Sequence, residues 1–370
     1  MNLRILTIKI SKKLHVFNFI KKLLTRKKHA YLLNDGTASM PYSVGFELTT
    51  QCNLNCVMCY QKEERLLGKK DLSLDEIKKV LDNMPFLRRA SLIGSEIFMR
   101  QDIFEIIKEF SKRKIKLYLT TNGTLINQNN IKNLLKFKNT IRGIGFSLDG
   151  LKDTHNRIRG ANIFDKVIES INLVKNDFNV SVNSVMMKGN LNELYDLIKN
   201  LNGIGVINFG LTMEMFATPE EIVLSRNILG DKDLQVAMEI SKSPEYNFSL
   251  QELQKTIKKI RIIKGINVVI HPDIFDYFSE ELYNGNSREK IKLACKNMFI
   301  GRVNAQGNVI FCPFIKKSFG NLLTEPLEKI WNKNEFKSFR NNLLKNNLLP
   351  VCKRCCKLGL SMENNNEEQN

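Results

Sequence analysis

The sequence predicts an α/β protein built on a parallel sheet that closes partway into a barrel. Two observations carry this expectation. Between residues 44 and 211, six short β-rich runs alternate with amphipathic helical stretches, the order in which crossover helices join parallel strands. Polar motifs follow directly on the first four runs, at the strand ends where parallel barrels collect their ligands.

Strands are expected at residues 44–48, 89–93, 116–120, 141–148, 180–185 and 206–211. Helices are expected at 74–83, 102–113, 129–137, 162–175 and 191–200, and Ser73 with Glu76 has capping-box spacing for the first. Ahead of the barrel, Val16, Phe17, Phe19, Ile20, Leu23 and Leu24 gather on one helical face. His15, Asn18, Lys21 and Lys22 lie opposite, and Arg26, Lys27 and Lys28 follow. This segment reads as a helix packed on the main domain, with an interfacial membrane helix as its alternative. Residues 213–290 read as mostly helical, interrupted at 268–272. From Cys295 the composition changes, with five of the eight cysteines in the last 76 residues. The expected division is a basic amphipathic segment 1–40, a barrel core 41–212, a helical connection 213–288, a cysteine-bearing domain 289–358 and a polar tail 359–370.

A hydrophobic content of 43% is that of a globular protein, and no apolar run approaches the ~20 residues that span a bilayer. The charge balance, 57 − 38 = +19, is spread as lysine along polar helix faces. No basic stripe interleaved with aromatics is present, so nucleic acid is not expected as a partner. The N-terminus shows no secretory signal, so the cysteines read as reduced metal or cluster ligands of a cytoplasmic protein, with peripheral contact at the inner membrane face as the alternative.

Cys52, Cys56 and Cys59, written CNLNCVMC, follow the first strand. Three thiolates at x3 and x2 spacing hold three irons of a [4Fe–4S] cube and leave the fourth open to a small molecule. A zinc site would draw a fourth Cys or His, and none lies near. After the second strand stands Gly94-Ser95-Glu96-Ile97, and after the third Thr121-Asn122-Gly123. The fourth strand ends in Phe146-Ser147-Leu148-Asp149-Gly150, followed by HNRIRG at 155–160.

In this order the motifs resemble those of the radical S-adenosylmethionine (SAM) enzymes. The resemblance implies a partial (βα)6 TIM-like barrel with a [4Fe–4S] cluster on Cys52, Cys56 and Cys59. It also implies SAM on the open iron, where an electron from the cube splits the sulfonium to a 5′-deoxyadenosyl radical. Gly94, Ser95 and Glu96 look like the family's GGEP motif, with Ser95 for glycine and Ile97 for proline. Glycine lets the backbone approach the ligand, and Glu96 would accept a hydrogen bond from the SAM ammonium. The resemblance assigns Ser147 and Arg159 to the SAM carboxylate and ribose, and arginine can fork onto a carboxylate. Tyr60 and Asn122 are counted with them as cofactor-binding. His155 and Arg157 read as structural or solvent-facing. Asn183 and Glu214 would point into the barrel mouth, Glu214 as substrate ligand or proton acceptor.

Farther on stand Cys295, Cys312 and the pair Cys352 and Cys355. Runs at 299–303 and 309–311 flank Gln306-Gly307-Asn308 as a hairpin with one thiol near each end, and a helical stretch 326–344 returns the chain. The set resembles the SPASM and twitch extensions of the same family, including the FGNLLTEPLEKIW segment. It implies one closed auxiliary [4Fe–4S] cluster on Cys295, Cys312, Cys352 and Cys355, with Cys356 able to replace Cys355. A four-cysteine zinc site has compatible spacing.

The expected activity is that of a radical SAM oxidoreductase fed by a reductant such as flavodoxin or ferredoxin. Family members with one auxiliary cluster include one that oxidises an aminocyclitol alcohol. By that resemblance the expected reaction is hydrogen abstraction from a carbinol carbon of a small or carbohydrate-like substrate. With about forty residues ahead of the barrel, an N-terminal peptide-recognition domain is not expected. Maturation of a ribosomally made peptide is the alternative, although Pro313 follows Cys312 where sulfatase-type maturases carry an acidic residue. A zinc-stabilised nucleic-acid-binding protein is the alternative from another class.

Overall fold

A computed structural model describes residues 32–187, 189–237 and 249–360. Residues 1–31 of the N-terminal amphipathic segment and nearly all of the polar tail therefore lie outside the described residues. Twelve strands form among those described: β1 Ser43–Glu47, β2 Arg89–Ile93, β3 Lys116–Thr121, β4 Ile141–Ser147, β5 Val180–Met186, β6 Asn208–Met213, β7 Asn267–His271, β8 Leu293–Cys295, β9 Gly301–Val303, β10 Asn308–Ile310, β11 Ser318–Asn321 and β12 Leu358–Leu360. Ten of them make one sheet in the order β11-β10-β9-β1-β2-β3-β4-β5-β6-β7, and β12 pairs with β8.

Crossover helices Leu74–Asp82, Ile103–Lys112, Gln128–Leu135, Phe164–Val174 and Leu194–Gly203 join the first six strands in the expected alternation. The Ser73 and Glu76 capping box forms. Period-two alternation decides which strand face the helices cover. Val44, Phe46, Ala90, Leu92, Leu117, Leu119, Ile144 and Phe146 are all buried beneath them. Phe46 meets Phe110 edge to face with centroids 5.9 Å apart, and each such buried ring contributes about 1.5–3 kcal/mol.

The opposite face carries small and polar side chains that line up across the register. One row runs Thr120, Gly145, Ser181 and Asn208. The next runs Ser147, Asn183, Gly210 and Val269. Above it stand Val185, Thr212 and His271.

Two expectations need correction. The interruption at 268–272 is a seventh parallel strand, β7, hydrogen-bonded to β6 along its whole length. The expected C-terminal hairpin extends the same sheet, because β9 pairs in parallel with β1. The sixth strand starts later than expected, since the Val206 amide bonds back to Leu201 O at the preceding helix end, 3.0 Å away. Among the described residues no helix is long and apolar enough to cross a membrane.

Candidate active site

The loop after β1 is tied down before it presents its thiols. Asp71 accepts from the Thr50 amide at 3.1 Å, Arg65 Nη1 donates to Leu54 O at 2.6 Å, and the Val57 amide donates to Ile158 O at 3.0 Å. Cys56 is buried, while Cys52 and Cys59 are half-buried.

Two motifs from other strand ends reach the same sulfurs. Asn122, after β3, directs Nδ2 toward Cys52 Sγ at 3.9 Å and donates to Asn53 Oδ1 at 2.9 Å. Arg159, at the end of the helix Lys152–Arg159, places Nη1 3.6 Å from Cys56 Sγ. Its Nε and Nη2 are taken by Asp149 Oδ2 at 2.7 and 2.6 Å. Asp149 is fully buried, and its Oδ1 also accepts from the Val185 amide at 2.9 Å, which locks β4 to β5. Sequence reading passed over Asp149, although a carboxylate directly after a strand, ten residues before an arginine, was a visible signal.

Gly94 has φ +122°, and a Cβ there would stand 2.8 Å from Thr49 O, so the motif requires glycine at that place. Ser95 reaches Thr50 O and Gln61 Oε1 at 2.9 and 3.0 Å, and the Glu96 amide donates to Gln51 O at 2.9 Å. The segment thus braces the cysteine loop.

The Glu96 carboxylate, expected to face a SAM ammonium, has protein partners of its own. Glu96 is fully buried and accepts from Asn122 N at 2.6 Å, Thr121 Oγ1 at 2.9 Å and Phe98 N at 3.0 Å. It ties the ends of β2 and β3 together. Burial lifts its carboxyl to about 7 against the pull of those donors.

Tyr60 likewise has partners within the chain. Its hydroxyl accepts from Arg302 Nη2 at 3.2 Å, and its ring lies against Phe314 with centroids 5.4 Å apart. Burial raises its phenol, and the Glu47 carboxylate adds to the effect. Arg302, on β9, is held by Glu47 Oε1 at 2.8–2.9 Å. Tyr60 therefore joins the cysteine loop to the C-terminal domain. Arg302 escaped sequence reading because its partners lie more than 240 residues away.

Ser147 and Asn183 stand side by side on the open face, as their register dictates. Asn183 lies flat between two glycines, and a Cβ at Gly145 or Gly210 would come within 2.9 or 2.5 Å of its amide. Glu214 follows β6 at the mouth, its amide bonded to Met186 O at 3.2 Å, and burial raises its carboxyl to about 7. His155 is fully buried, its Nδ1 accepting from the Asp149 amide at 3.1 Å, which makes it structural.

In the C-terminal domain the thiols of Cys295, Cys312 and Cys352 are raised by burial first. Cys295 is also raised by Cys352 and Cys312, and Cys352 by Cys312, so these sulfurs share one pocket. Cys355 is raised first by its hydrogen bond with Cys356, then by burial and by Cys295 and Cys352. Amides already point at two sulfurs, Ile315 N at 3.2 Å from Cys312 and Lys357 N at 3.3 Å from Cys355. Among the described residues no three Cys, His, Asp or Glu side chains close around a single-ion position. Soft thiol sets with N–H donors suit iron–sulfur clusters at both places.

Comparison with known proteins agrees with this geometry. The radical SAM superfamily model matches residues 46–201, and the SPASM iron–sulfur cluster-binding domain model matches residues 295–356. The chain carries a radical SAM domain and a C-terminal SPASM iron–sulfur domain. When bound, the family's cofactors supply the hydrogen-abstracting radical, and Cys52, Cys56 and Cys59 would hold the cluster that SAM joins. Cys295, Cys312, Cys352 and Cys355 would hold the auxiliary cluster. An AdoMet-dependent heme synthase of Methanosarcina barkeri is 24% identical over 318 residues, 81% of this chain and 85% of that protein. A probable GTP 3′,8-cyclase of Thermococcus kodakarensis is 32% identical over 167 residues, 43% of this chain and 53% of its own length. The subtilosin biosynthesis protein AlbA of Bacillus subtilis is 30% identical over 178 residues, 46% of this chain and 39% of its own length. Streptococcus suis SuiB bound to precursor peptide SuiA superposes with TM-score 0.62 at 15% identity, covering 87% of this chain and 72% of that one. Native anSMEcpe with bound AdoMet and Kp18Cys peptide gives TM-score 0.55 at 19% identity, covering 80% of this chain and 82% of that one. These two show a shared fold.

Proposed function

We propose that this radical SAM enzyme modifies a peptide, removing a hydrogen atom from it and completing a net oxidation. The observation that carries the reading is the open face of the sheet. Gly143, Gly145 and Gly210 keep its floor low, and Ser181, Asn183, Asn208 and Thr212 offer hydroxyls and amides at successive register positions. Such a surface suits an extended chain, whose backbone needs alternating donors and acceptors. The names of AlbA and of the SuiB complex support the same choice. This reading takes the place of the alcohol oxidation expected from sequence.

Within the reading, Arg159 and Ser147 hold SAM beside Cys56, and Glu214 binds the substrate at the mouth. Asp149 keeps the Arg159 guanidinium oriented, and the braced 94–96 segment keeps the loop in place. A small acidic electron carrier of the flavodoxin or ferredoxin kind supplies reducing equivalents.

The test is co-expression with any short peptides found encoded beside the gene, followed by mass spectrometry. A peptide lighter by a pair of hydrogens with the intact enzyme, and unchanged with Cys56→Ala, supports the proposal. Intact peptides alongside conversion of a sugar or tetrapyrrole by the same enzyme would contradict it.

A further inference from the structure

We infer that His271 is the proton acceptor for the substrate, oriented by Asp273, which Lys296 holds in turn. The inference rests on the peptide reading above and adds a residue to it.

His271 ends β7, opposite Thr212 of β6, which in turn faces Val185 of β5. Its neighbour Ile270 is buried on the helix-covered side, so alternation turns His271 to the open face, one row above Asn183 and Gly210. Its side chain is 36% exposed, so a ligand in the mouth can reach it.

The ring is oriented from behind. Nδ1 stands 3.0 Å from Asp273 Oδ1, and the other Asp273 oxygen is ion-paired with Lys296, from the C-terminal domain. Burial alone would raise Asp273, but His271 and Lys296 outweigh it and hold the carboxyl below the usual range. An ionised carboxylate accepts the Nδ1–H, which fixes the tautomer and leaves Nε2 as a lone-pair acceptor. The charged groups around the imidazole are Asp273 and Lys296, with Glu214 on the neighbouring strand exit.

That placement balances the chemistry. When one hydrogen atom leaves a peptide C–H to form 5′-deoxyadenosine, a two-electron oxidation still requires the loss of one proton and one electron. As the new bond forms at that carbon, the partner X–H bond breaks and its proton passes to His271 Nε2. The cluster that Cys295, Cys312, Cys352 and Cys355 would hold would, in its oxidised form, supply the acceptor for the remaining electron.

Two measurements test this on the full-length holoenzyme. Nitrogen-15 NMR of labelled histidine, with His271 assigned by its loss in His271→Gln, should report the Nδ1–H tautomer, and Asp273→Asn should abolish that preference. A dominant Nε2–H tautomer overturns the proposal, whatever the substrate. With the peptide found by co-expression, in D2O, His271→Gln should keep 5′-deoxyadenosine formation within about twofold but lower modified peptide about a hundredfold or more. Unmodified peptide should then carry one deuterium from quenching of its radical. Asp273→Asn should lower product about tenfold with unchanged iron, and added imidazole should restore product to His271→Ala. Wild-type product ratios in His271→Gln would sink the inference. Failure of the wild type to modify any peptide would instead sink the peptide reading, and the NMR result would still decide the dyad.

Discussion

Arg159 and Cys56 stand 103 residues apart and meet at 3.6 Å, guanidinium Nη1 to Sγ. The contact joins the exit of β4 to the cysteine loop after β1. It depends on Asp149, which takes the other two guanidinium nitrogens and is itself fully buried.

Asp149→Asn should therefore leave a buried cation uncompensated and destabilise the fold by roughly 3–5 kcal/mol. Urea denaturation measures the loss. Arg159→Lys keeps the charge without the fork, so SAM affinity should fall about tenfold in equilibrium dialysis while the protein stays folded. Unchanged SAM affinity in Arg159→Lys would free Arg159 from any cofactor role.

Glu96 gives a pH signature. Its carboxyl is raised from 4.5 to about 7 in the folded chain, so the folded state holds a proton that the unfolded state has released. Stability should fall as pH rises through that window, by on the order of 3 kcal/mol, and level off above about 7. In Glu96→Gln the slope should vanish. The variant should also be less stable at low pH by about 1–3 kcal/mol, because an amide NH2 replaces one oxygen that now accepts from a backbone N–H or Thr121. Thermal unfolding between pH 5 and 8 reads both effects.

The first six strands were legible because their alternation of buried and open residues is local, as in Arg89–Ile93. The motifs at their ends were legible for the same reason. β7 was missed because its only full partner is β6 and four of its five residues are half-buried or exposed, so NVVIH carries no strong apolar run. The parallel pairing of Val44 with Gly301 leaves no local trace at all. Glu96 and Tyr60 were assigned to the cofactor from their place in the motif. Their direction is set by Thr121, Asn122 and Arg302, which only the folded chain brings near.

The two cysteine sets should separate by mutation. Cys56→Ala should lose about half of the iron and all 5′-deoxyadenosine formation. Cys312→Ala should also lose about half of the iron, keep SAM cleavage and lose product. Iron and acid-labile sulfide analysis, with chromatography of 5′-deoxyadenosine, distinguishes the two. A Cys312→Ala protein that still forms full product would leave the C-terminal site a structural role.

The central claim is that the radical made beside Cys56 takes its hydrogen from a peptide. The most direct measurement supplies the reconstituted enzyme with SAM, a reductant and the candidate peptide deuterated at carbon, then compares deuterated 5′-deoxyadenosine with modified peptide. The account predicts deuterium in 5′-deoxyadenosine, one equivalent for each peptide that loses a hydrogen pair. Modified peptide with no deuterium transferred, or labelled 5′-deoxyadenosine arising only from a non-peptide substrate, would contradict it.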